Sequence, residues 1–315
     1  MSGSIAVVVP SLGASPLQEE ALAALRAAAT VRPFALFWVH QGDREPPRLA
    51  AGEILVRLPA AVGFSRAANA GFAAAGEVDY LGVVNDDAVV ERDWLAILAA
   101  ALDTEPALGA VQGVNLLADS PALADGCGIG WNRGWQAIQL GHGEPAPPPD
   151  REPFEIFGVS ATAALYRRAA LEAVRLGAGT VFDPHLDAYY EDVDLAVRLR
   201  GRGATARCLP GARAAHAGGA TAGREPLRRA ARIRGNRFLV LARLAGGAWP
   251  RLLARAAARE LADAVRAALR FDLPALAGQI AGGGRALRLL PRYLRRGAPL
   301  VPLPELARFR VGSRG

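Results

Sequence analysis

Short apolar runs alternate with helical stretches through the first hundred residues, and this alternation constrains the fold more than any other feature. Four runs are typical of buried strands and span residues 4–9, 34–39, 54–58 and 80–84. Helical stretches follow them over 16–29, 65–75 and 92–102. Strands joined by helices pack side by side in parallel. We therefore predict an α/β fold with a parallel, doubly wound sheet.

The rest of the chain continues this pattern less regularly. Residues 109–160 hold many glycines and prolines, which predicts loops lying over one end of the sheet. A strand over 161–166 and a helix over 168–175 follow, and 204–216 indicates a strand or hairpin. Further helices are expected over 227–244, 251–270 and 287–296.

Charge is distributed unevenly along the chain. From Arg224 onward there are 20 arginines and five acidic residues, whereas the first 223 residues hold 17 arginines and 25 acidic residues. Such an asymmetry indicates two functional regions. We therefore divide the chain into a domain over 1–223 and a basic helical region over 224–315.

Two further features bear on where the protein works. The chain has no apolar run of about 18 residues, the length that spans a bilayer, and its start lacks the basic segment of a signal peptide. Cys127 and Cys208 lie far apart in sequence without metal-ligand spacing. We expect both to be reduced and structural, in a cytoplasmic protein.

Two carboxylates follow directly after a buried strand. Asp86 and Asp87, preceded by Asn85, come where the strand over 80–84 ends. In open parallel sheets, ligands bind outside the carboxyl ends of the strands, and one or two carboxylates there suit a divalent cation held together with phosphates. Asn and Asp also favour turns on their own, so an ordinary turn is the alternative.

Three more acidic residues cluster at the start of a helix. Glu191, Asp192 and Asp194 follow two tyrosines, and the helix that they begin ends at Gly201. Acids at a helix start suit the helix dipole, so capping is one interpretation. Catalysis is the other, because clustered carboxylates repel one another, and one with a raised pKa can act as a general base.

Two weaker signals accompany these clusters. His216 could complete a metal site as a neutral imidazole, although a lone histidine is more often an ordinary surface or core residue. Arg66 and Asn69 share one face of a helix, where they either contact a nucleotide or face solvent.

In their order along the chain, these pieces resemble a known family. The segment AVGFSRAANAGFAAAGEVDYLGVVNDDAVVERDWL is followed by FGVSATAALYRRAAL, by FDPHLDAYYEDVDLAVRLRGRG and by His216. This order is similar to that of the family 2 inverting glycosyltransferases, and most of all to bacterial rhamnosyltransferase-like members. The resemblance covers roughly residues 4–245. It implies a GT-A fold with a nucleotide-sugar half over about 1–108 and an acceptor half over about 109–223.

The resemblance also implies a role for each matched residue. Asp87 and Asp86 would bind Mg²⁺ or Mn²⁺, and His216 would reach the metal or the diphosphate. Asp192 matches the catalytic base, with Glu191 orienting it or contacting the acceptor, which leaves Asp194 as a helix-start residue. The implied nucleotide-sugar site consists of Pro10, Ser11, Arg66, Asn69, Asn85 and Asp86. The implied acceptor side consists of Gly158, Val159, Ser160 and Tyr190.

Two segments depart from the family pattern where its members contact the nucleotide base. The chain has Pro10-Ser11-Leu12 after the first strand and His40-Gln41-Gly42-Asp43 after the second. The donor stays open between dTDP- and UDP-sugars, and we expect a glycan or a lipid-linked acceptor. A nucleotide-sugar-binding protein with weakened catalysis is one alternative. A nucleotidyltransferase is another alternative. That class requires a basic glycine-rich loop after the first strand, and residues 10–16 contain no arginine.

The basic tail has its own alternatives. Residues 251–270 place apolar side chains near one helix face with arginines beside them, namely Leu252, Leu253, Ala256, Ala257 and Leu261. Such a helix either lies on an anionic membrane surface or packs against its own domain or a second subunit of a homodimer. Nucleic-acid binding is disfavoured, because the tail holds few aromatic residues and no recognition motif.

Overall fold

A computed structural model describes residues 3–218, 226–295 and 297–311. The boundary predicted between residues 223 and 224 lies outside the described residues. The strands in chain order are β1 (Ile5–Ser11), β2 (Ala35–Gln41), β3 (Ile54–Leu58), β4 (Tyr80–Val84), β5 (Ala88–Val90), β6 (Leu108–Leu117), β7 (Ser120–Gly126), β8 (Ile129–Trp131), β9 (Ala137–Gln139), β10 (Phe154–Ile156), β11 (Ala163–Arg167) and β12 (Thr205–His216). The helices are α1 (Gln18–Ala29), α2 (Phe64–Ala74), α3 (Trp94–Thr104), α4 (Arg168–Glu172), α5 (Glu191–Arg200), α6 (Pro226–Ala245), α7 (Trp249–Leu269), α8 (Leu273–Leu289) and α9 (Leu303–Arg308).

Ten of these strands form one sheet with the order β10-β12-β6-β11-β4-β1-β2-β3, with β5 paired to β12 and β7 paired to β6. Strands β4, β1, β2 and β3 are parallel neighbours, and β12 runs parallel to β6. Strand β11 lies antiparallel between β4 and β6. The prediction of an α/β fold with a mostly parallel sheet is confirmed.

Both faces of the first strand are buried, which explains its continuous apolar sequence. Ala6 and Val8 join the core beneath α2, where Phe72 packs. Val7 and Val9 join the core on the opposite face, beneath α1 and α3. Alternate residues of a strand point to opposite faces, so a strand covered on both sides is apolar at every position.

The prediction that residues 109–160 form loops is wrong. Strands β6 to β10 lie there, and β6 is buried near the middle of the sheet. Gly113 allows β12 to pass closely, because a Cβ at this position would lie 1.9 Å from the carbonyl oxygen of Ala212. Gly113 therefore marks close strand packing and not a turn.

The C-terminal helices share an apolar core with α5. Leu239 and Leu241 of α6 pack in one cluster with Val193 and Val197 of α5 and with Trp131 of β8. The tail thus lies against the segment that carries Asp192. Independent folding of residues 1–223 stays a prediction.

Two details of the tail differ from expectation. The helix predicted over 287–296 is misplaced, since α8 runs from Leu273 to Leu289 and residue 296 lies outside the described residues. Helix α7 packs on the protein through Leu252, Leu253 and Ala256, whereas Ala257 and Leu261 are exposed. Every described helix is too short or too polar to cross a membrane. Cys127 and Cys208 are both buried and free.

Candidate functional site

The carboxyl ends of β1 and β4 lie side by side because the two strands pair in parallel. Ser11, the last residue of β1, donates a hydrogen bond from Oγ to Oδ2 of Asp86 at 2.6 Å. Burial raises the pKa of Asp86 to about 6, although the Ser11 hydrogen bond opposes this effect. The structure thus brings Ser11 and Asp86 together, while Pro10 is buried within β1.

His216 lies between two carboxylates. Its Nε2 is 3.3 Å from Oδ1 of Asp87, and its Nδ1 is 2.8 Å from Oδ2 of Asp125. Burial acts to lower the pKa of His216, but the hydrogen bonds to Asp125 and Asp87 outweigh it and raise the pKa to about 9. Sequence reasoning missed Asp125, because nothing near it marks its contact with a residue 91 positions away.

The carboxylates at this edge fit a hard divalent cation, and His216 stays a candidate ligand beside them. If Nδ1 donates its proton to Asp125, Nε2 keeps its lone pair and faces the same side as Oδ1 of Asp87. No group of three or more His, Cys, Asp and Glu side chains surrounds a common metal position within residues 3–218, 226–295 and 297–311. Asp86 and Asp87 could still hold Mg²⁺ or Mn²⁺ jointly with phosphate oxygens, since such sites need only one or two carboxylates.

Backbone hydrogen bonds connect this edge to Asp192. The amide nitrogen of Asn85 donates to the carbonyl of Thr162 at 2.8 Å. The amide nitrogen of Ala161 donates to Oδ2 of Asp192 at 3.4 Å. Residues 161 and 162 lead directly into β11, which pairs with β4. The Asp86–Asp87 turn and Asp192 therefore lie at the same end of the sheet.

Asp192 and Glu191 at the start of α5 differ in their surroundings. Asp192 is half-buried, and burial raises its pKa to about 6 against the backbone hydrogen bonds from Val193 and Ala161. Glu191 is buried, and its Oε2 has no hydrogen-bond partner among the described residues. Burial first and the charge of Asp192 second raise the pKa of Glu191 well above its usual range. Burial thus disfavours a second negative charge on this pair, and it raises the pKa of both carboxyl groups.

The backbone that leads into α5 is strained. Asp187, Tyr189 and Tyr190 have φ angles of 65°, 67° and 72°, in the left-handed region that residues with a side chain rarely adopt. Each such residue costs on the order of 1–3 kcal/mol, and strain of this kind concentrates at functional sites. The surrounding structure must therefore hold this segment in place.

Helix α6 holds the strained segment through Asn236. The buried amide nitrogen of Asn236 donates to the carbonyl of Leu186 at 2.8 Å and to that of Tyr189 at 2.7 Å. Arg285 of α8 donates from Nε to Oδ1 of Asn236 at 2.9 Å, which fixes the orientation of the amide. The C-terminal helices thus position the residues before Glu191.

A buried ion network anchors both ends of the same segment. Asp194 is fully buried and accepts hydrogen bonds from Arg198 at 2.9 Å and from Arg243 at 2.6 Å. Arg243 also donates to Asp183 at 2.6 Å, and the Tyr293 hydroxyl donates to Asp183 at 2.9 Å. Asp194 lies in the first turn of α5, as expected of a helix-start residue, and it also anchors α5 to α6.

The predicted acceptor-side residues fall into two groups. Val159 and Ser160 are buried, and Gly158 lies so close to α5 that a Cβ there would be 2.2 Å from Cβ of Ala196. These three lead directly to Ala161, whose amide nitrogen donates to Asp192, and their contact with an acceptor stays a prediction. Tyr190 instead lines a cavity of about 460 Å³ between α6, α7 and Gln136.

Two residues of the predicted nucleotide-sugar site, Asn69 and Arg66, differ in their surroundings. Asn69 accepts at Oδ1 from the amide nitrogens of Val181 and Phe182 at 3.0 and 2.9 Å, and it donates to the Phe182 carbonyl at 2.7 Å. Its side chain holds the chain before Asp183, so the predicted nucleotide contact is replaced by a structural one. Arg66 is exposed on α2. Gln41 accepts from the amide nitrogens of Val62 and Gly63, which ties β2 to the start of α2.

The sequence itself decides the family. The model of glycosyl transferase family 2 matches residues 7–175, which is more than half of the chain and includes the Asp86–Asp87 turn. The chain belongs to glycosyl transferase family 2. A comparison with curated proteins finds no match. Family membership makes the protein a glycosyltransferase and decides against the nucleotidyltransferase alternative.

Solved structures of glycosyltransferases share the fold. The mannosyltransferase PcManGT of Pyrobaculum calidifontis, in complex with GDP-Man and Mn²⁺, is 19% identical with a TM-score of 0.52, over 91% of this chain and 88% of that one. GalNAc-T7 with UDP, GalNAc and Mn²⁺ is 12% identical with a TM-score of 0.53, over 68% of this chain. The match spans 43% of the GalNAc-T7 chain. At these identities the likeness establishes the GT-A fold.

Proposed function

We propose that this glycosyltransferase moves a sugar from a nucleoside-diphosphate sugar to an acceptor hydroxyl with inversion at the anomeric carbon. One observation carries the proposal: the Asp86–Asp87 turn and the half-buried Asp192 lie at the same end of the sheet, linked through residues 161 and 162. Carboxylates after β4 suit a cation and a diphosphate, and Asp192 has the raised pKa of a general base.

The donor would bind across the ends of β1 and β4. Ser11, Asn85 and Asp86 line this edge, and Arg66 is exposed on the neighbouring helix. A dTDP- or UDP-sugar is the expected donor, which is what the resemblance to rhamnosyltransferase-like members implies. Because PcManGT was solved with GDP-Man, GDP-sugars belong among the donors to be tested.

In the proposed reaction, Asp192 takes the proton of the acceptor hydroxyl while the hydroxyl oxygen bonds to the anomeric carbon. The bond from this carbon to the diphosphate oxygen breaks, and the nucleoside diphosphate leaves with the electron pair. Glu191 lies beside the base, and burial and the charge of Asp192 raise its pKa, which disfavours a second charge there. Mg²⁺ or Mn²⁺, held by Asp86 and Asp87, would supply positive charge for the leaving diphosphate.

The acceptor would approach from the side of the cavity of about 460 Å³ that Tyr190 lines. Arg229, Arg237 and Gln136 lie in its wall, and Glu260 supplies a carboxylate. Polar groups of this kind hydrogen-bond sugar hydroxyls, which suits a glycan or a lipid-linked acceptor.

A thermal-shift panel tests this function. UDP-, dTDP- and GDP-sugars are each added with and without Mn²⁺, and we expect stabilisation that requires both the metal and one nucleotide. A ligand at 100 times its Kd stabilises a protein by about 2.7 kcal/mol, which such a panel detects. The hydrolysis product of the selected donor, followed by ¹H NMR before it equilibrates, should show the inverted anomer. A retained anomer, or the absence of stabilisation by every donor, would overturn the proposal.

A further inference from the structure

The outer sides of α7 and α8 form an apolar surface, which we call the α7–α8 surface. Phe271, between the two helices, is 87% exposed, and its neighbour Leu269 is 75% exposed. The other members are also more than half exposed, namely Leu261, Val265, Leu273 and Ile280. Large apolar side chains that are grouped and exposed mark an interaction site.

Helical geometry separates this surface from the packing face of α7. Leu261, Val265 and Leu269 recur every four residues and therefore lie on one side of the helix. Leu252 and Ala256 lie on the other side, where they are buried in the core shared with α6. Leu261, Val265 and Leu269 are therefore not part of the protein's core.

Exposed arginines lie along α7 and directly after it. Arg251, Arg255 and Arg270 are exposed and have no ion pair with any described residue. The nearby acidic residues are already engaged: Asp263 bonds Arg259 and Arg266, and Asp272 caps α8 by accepting from the amide nitrogen of Ala275 at 3.0 Å. The surface is therefore both apolar and cationic.

We propose that the α7–α8 surface docks onto an anionic phospholipid bilayer, with Leu269, Phe271 and Leu273 in the interface. Burying these apolar side chains at the level of the headgroups lowers the free energy through the hydrophobic effect. Arginines beside them are attracted to the negative charge of anionic lipids. A second copy of the chain is a poorer occupant, because its own arginines would face those of the first.

Vesicle binding of the full-length protein tests the proposal. Co-sedimentation is measured with vesicles of phosphatidylcholine alone and with vesicles that contain phosphatidylglycerol, at low and high salt. We expect binding to the anionic vesicles only, weakened by salt. No donor is present, so a failure of membrane docking and a failure of glycosyl transfer remain distinguishable.

Matched variants locate the binding surface. Leu269→Ser combined with Phe271→Ser removes two exposed side chains, and we expect binding to weaken by about tenfold or more without loss of folding. Val31→Ser is the control, because Val31 is 40% exposed after α1 and far from α7 in sequence. Absence of binding to anionic vesicles, or equal binding by the double variant, would overturn the proposal. So would a concentration-dependent dimer that the double variant abolishes.

Discussion

The side-chain amide of Asn236 donates a hydrogen bond to the carbonyl of Tyr189, 2.7 Å away, just before the helix that begins with Glu191 and Asp192. Because the residues around Tyr189 have positive φ angles, their conformation depends on this support. Asn236 thus acts on the proposed base through the backbone. It is a positioning residue with no expected contact to substrate.

Replacing Asn236 by alanine should lower kcat more than it raises the KM for the donor. Misplacing a reacting group by about 1 Å costs on the order of 100-fold in rate, and the donor edge at β1 and β4 is untouched. Steady-state release of nucleoside diphosphate measures both constants.

Leu241→Ala is the control for this prediction. Leu241 lies on the same helix and is fully buried, but its side chain is apolar and cannot hydrogen-bond the strained segment. We expect a loss of about 2–5 kcal/mol in unfolding free energy with kcat per folded molecule retained. Equal loss of kcat in both variants would show that Asn236 only stabilises the fold.

Arg243→Met should destabilise the protein more at pH 8 than at pH 3. Burial would raise the pKa of Asp183, but Arg243 and the other donors hold it below its usual range. This stabilisation is therefore present above the unfolded pKa of about 3.9 and is lost as the pH falls through the lower folded value. Without Arg243, the buried Asp183 loses its ion-pair partner, whereas Asp194 keeps Arg198.

We expect the unfolding free energy to fall by about 3–5 kcal/mol at pH 8, measured by urea denaturation, and by less at pH 3, where Asp183 begins to take up a proton. Arg266→Met is the control, because it breaks an exposed pair with Asp263. Exposed pairs contribute about 1 kcal/mol or less. A loss that is equal at both pH values would argue against charge as the cause.

The sequence predicted those parts of the site that depend on neighbouring residues. Strand β4 and the Asp86–Asp87 turn follow from an apolar run that ends in polar residues, and the start of α5 follows from its acids and apolar stripe. Long-range contacts were not predictable. Nothing near Asp125 marks its contact with His216, and nothing near Asn236 marks its bonds to the backbone before Glu191.

The errors in the fold have one physical origin. Glycine usually marks turns, but in β6 it allows close passage of β12, and in α8 it allows close helix packing: a Cβ at Gly282 would lie 2.7 Å from Cβ of Arg234. Local propensity cannot separate these two uses of glycine, because the residues that approach Gly113 and Gly282, namely Ala212 and Arg234, are distant in sequence. Their contacts are known only from the fold.

Asp87→Asn should remove the metal dependence of donor binding. The variant keeps the shape of the turn after β4 but loses the charge that a divalent cation needs. In the thermal-shift panel we expect the stabilisation by donor and Mn²⁺ together to disappear. Asp119→Asn, at an exposed acid outside the site, should behave as the unchanged protein does. Full Mn²⁺-dependent stabilisation of the Asp87 variant would exclude Asp87 as a ligand.

The pH profile should separate Asp192 from Glu191. A base must be deprotonated to act, so kcat/KM should rise with pH through an apparent pKa of about 6, the value of Asp192. Burial and the charge of Asp192 raise the pKa of Glu191, which favours its protonated form. Glu191→Gln mimics the protonated form and should keep kcat/KM within about tenfold, with the acid limb in place. A profile without an acid limb in the unchanged protein would contradict the assignment of the base.

Asp192→Asn should also stabilise the folded protein near pH 8. Burial raises the pKa of Asp192 in the folded state. The free energy of unfolding therefore falls as the pH rises from about 4, the unfolded pKa, to about 6, the folded one. Removing the charge should raise the unfolding free energy by about 1–3 kcal/mol above that range. Urea denaturation at pH 8 measures it, and a large loss of stability would contradict the burial of a charged base.

The most direct measurement is the turnover of Asp192→Asn with the donor that the thermal-shift panel selects. Release of nucleoside diphosphate is followed at pH 8 with Mn²⁺ and with water as the acceptor. If Asp192 is the base, the rate should fall by about 10² to 10⁴, while stabilisation by donor and metal stays as in the unchanged protein. Turnover close to that of the unchanged protein would contradict the account.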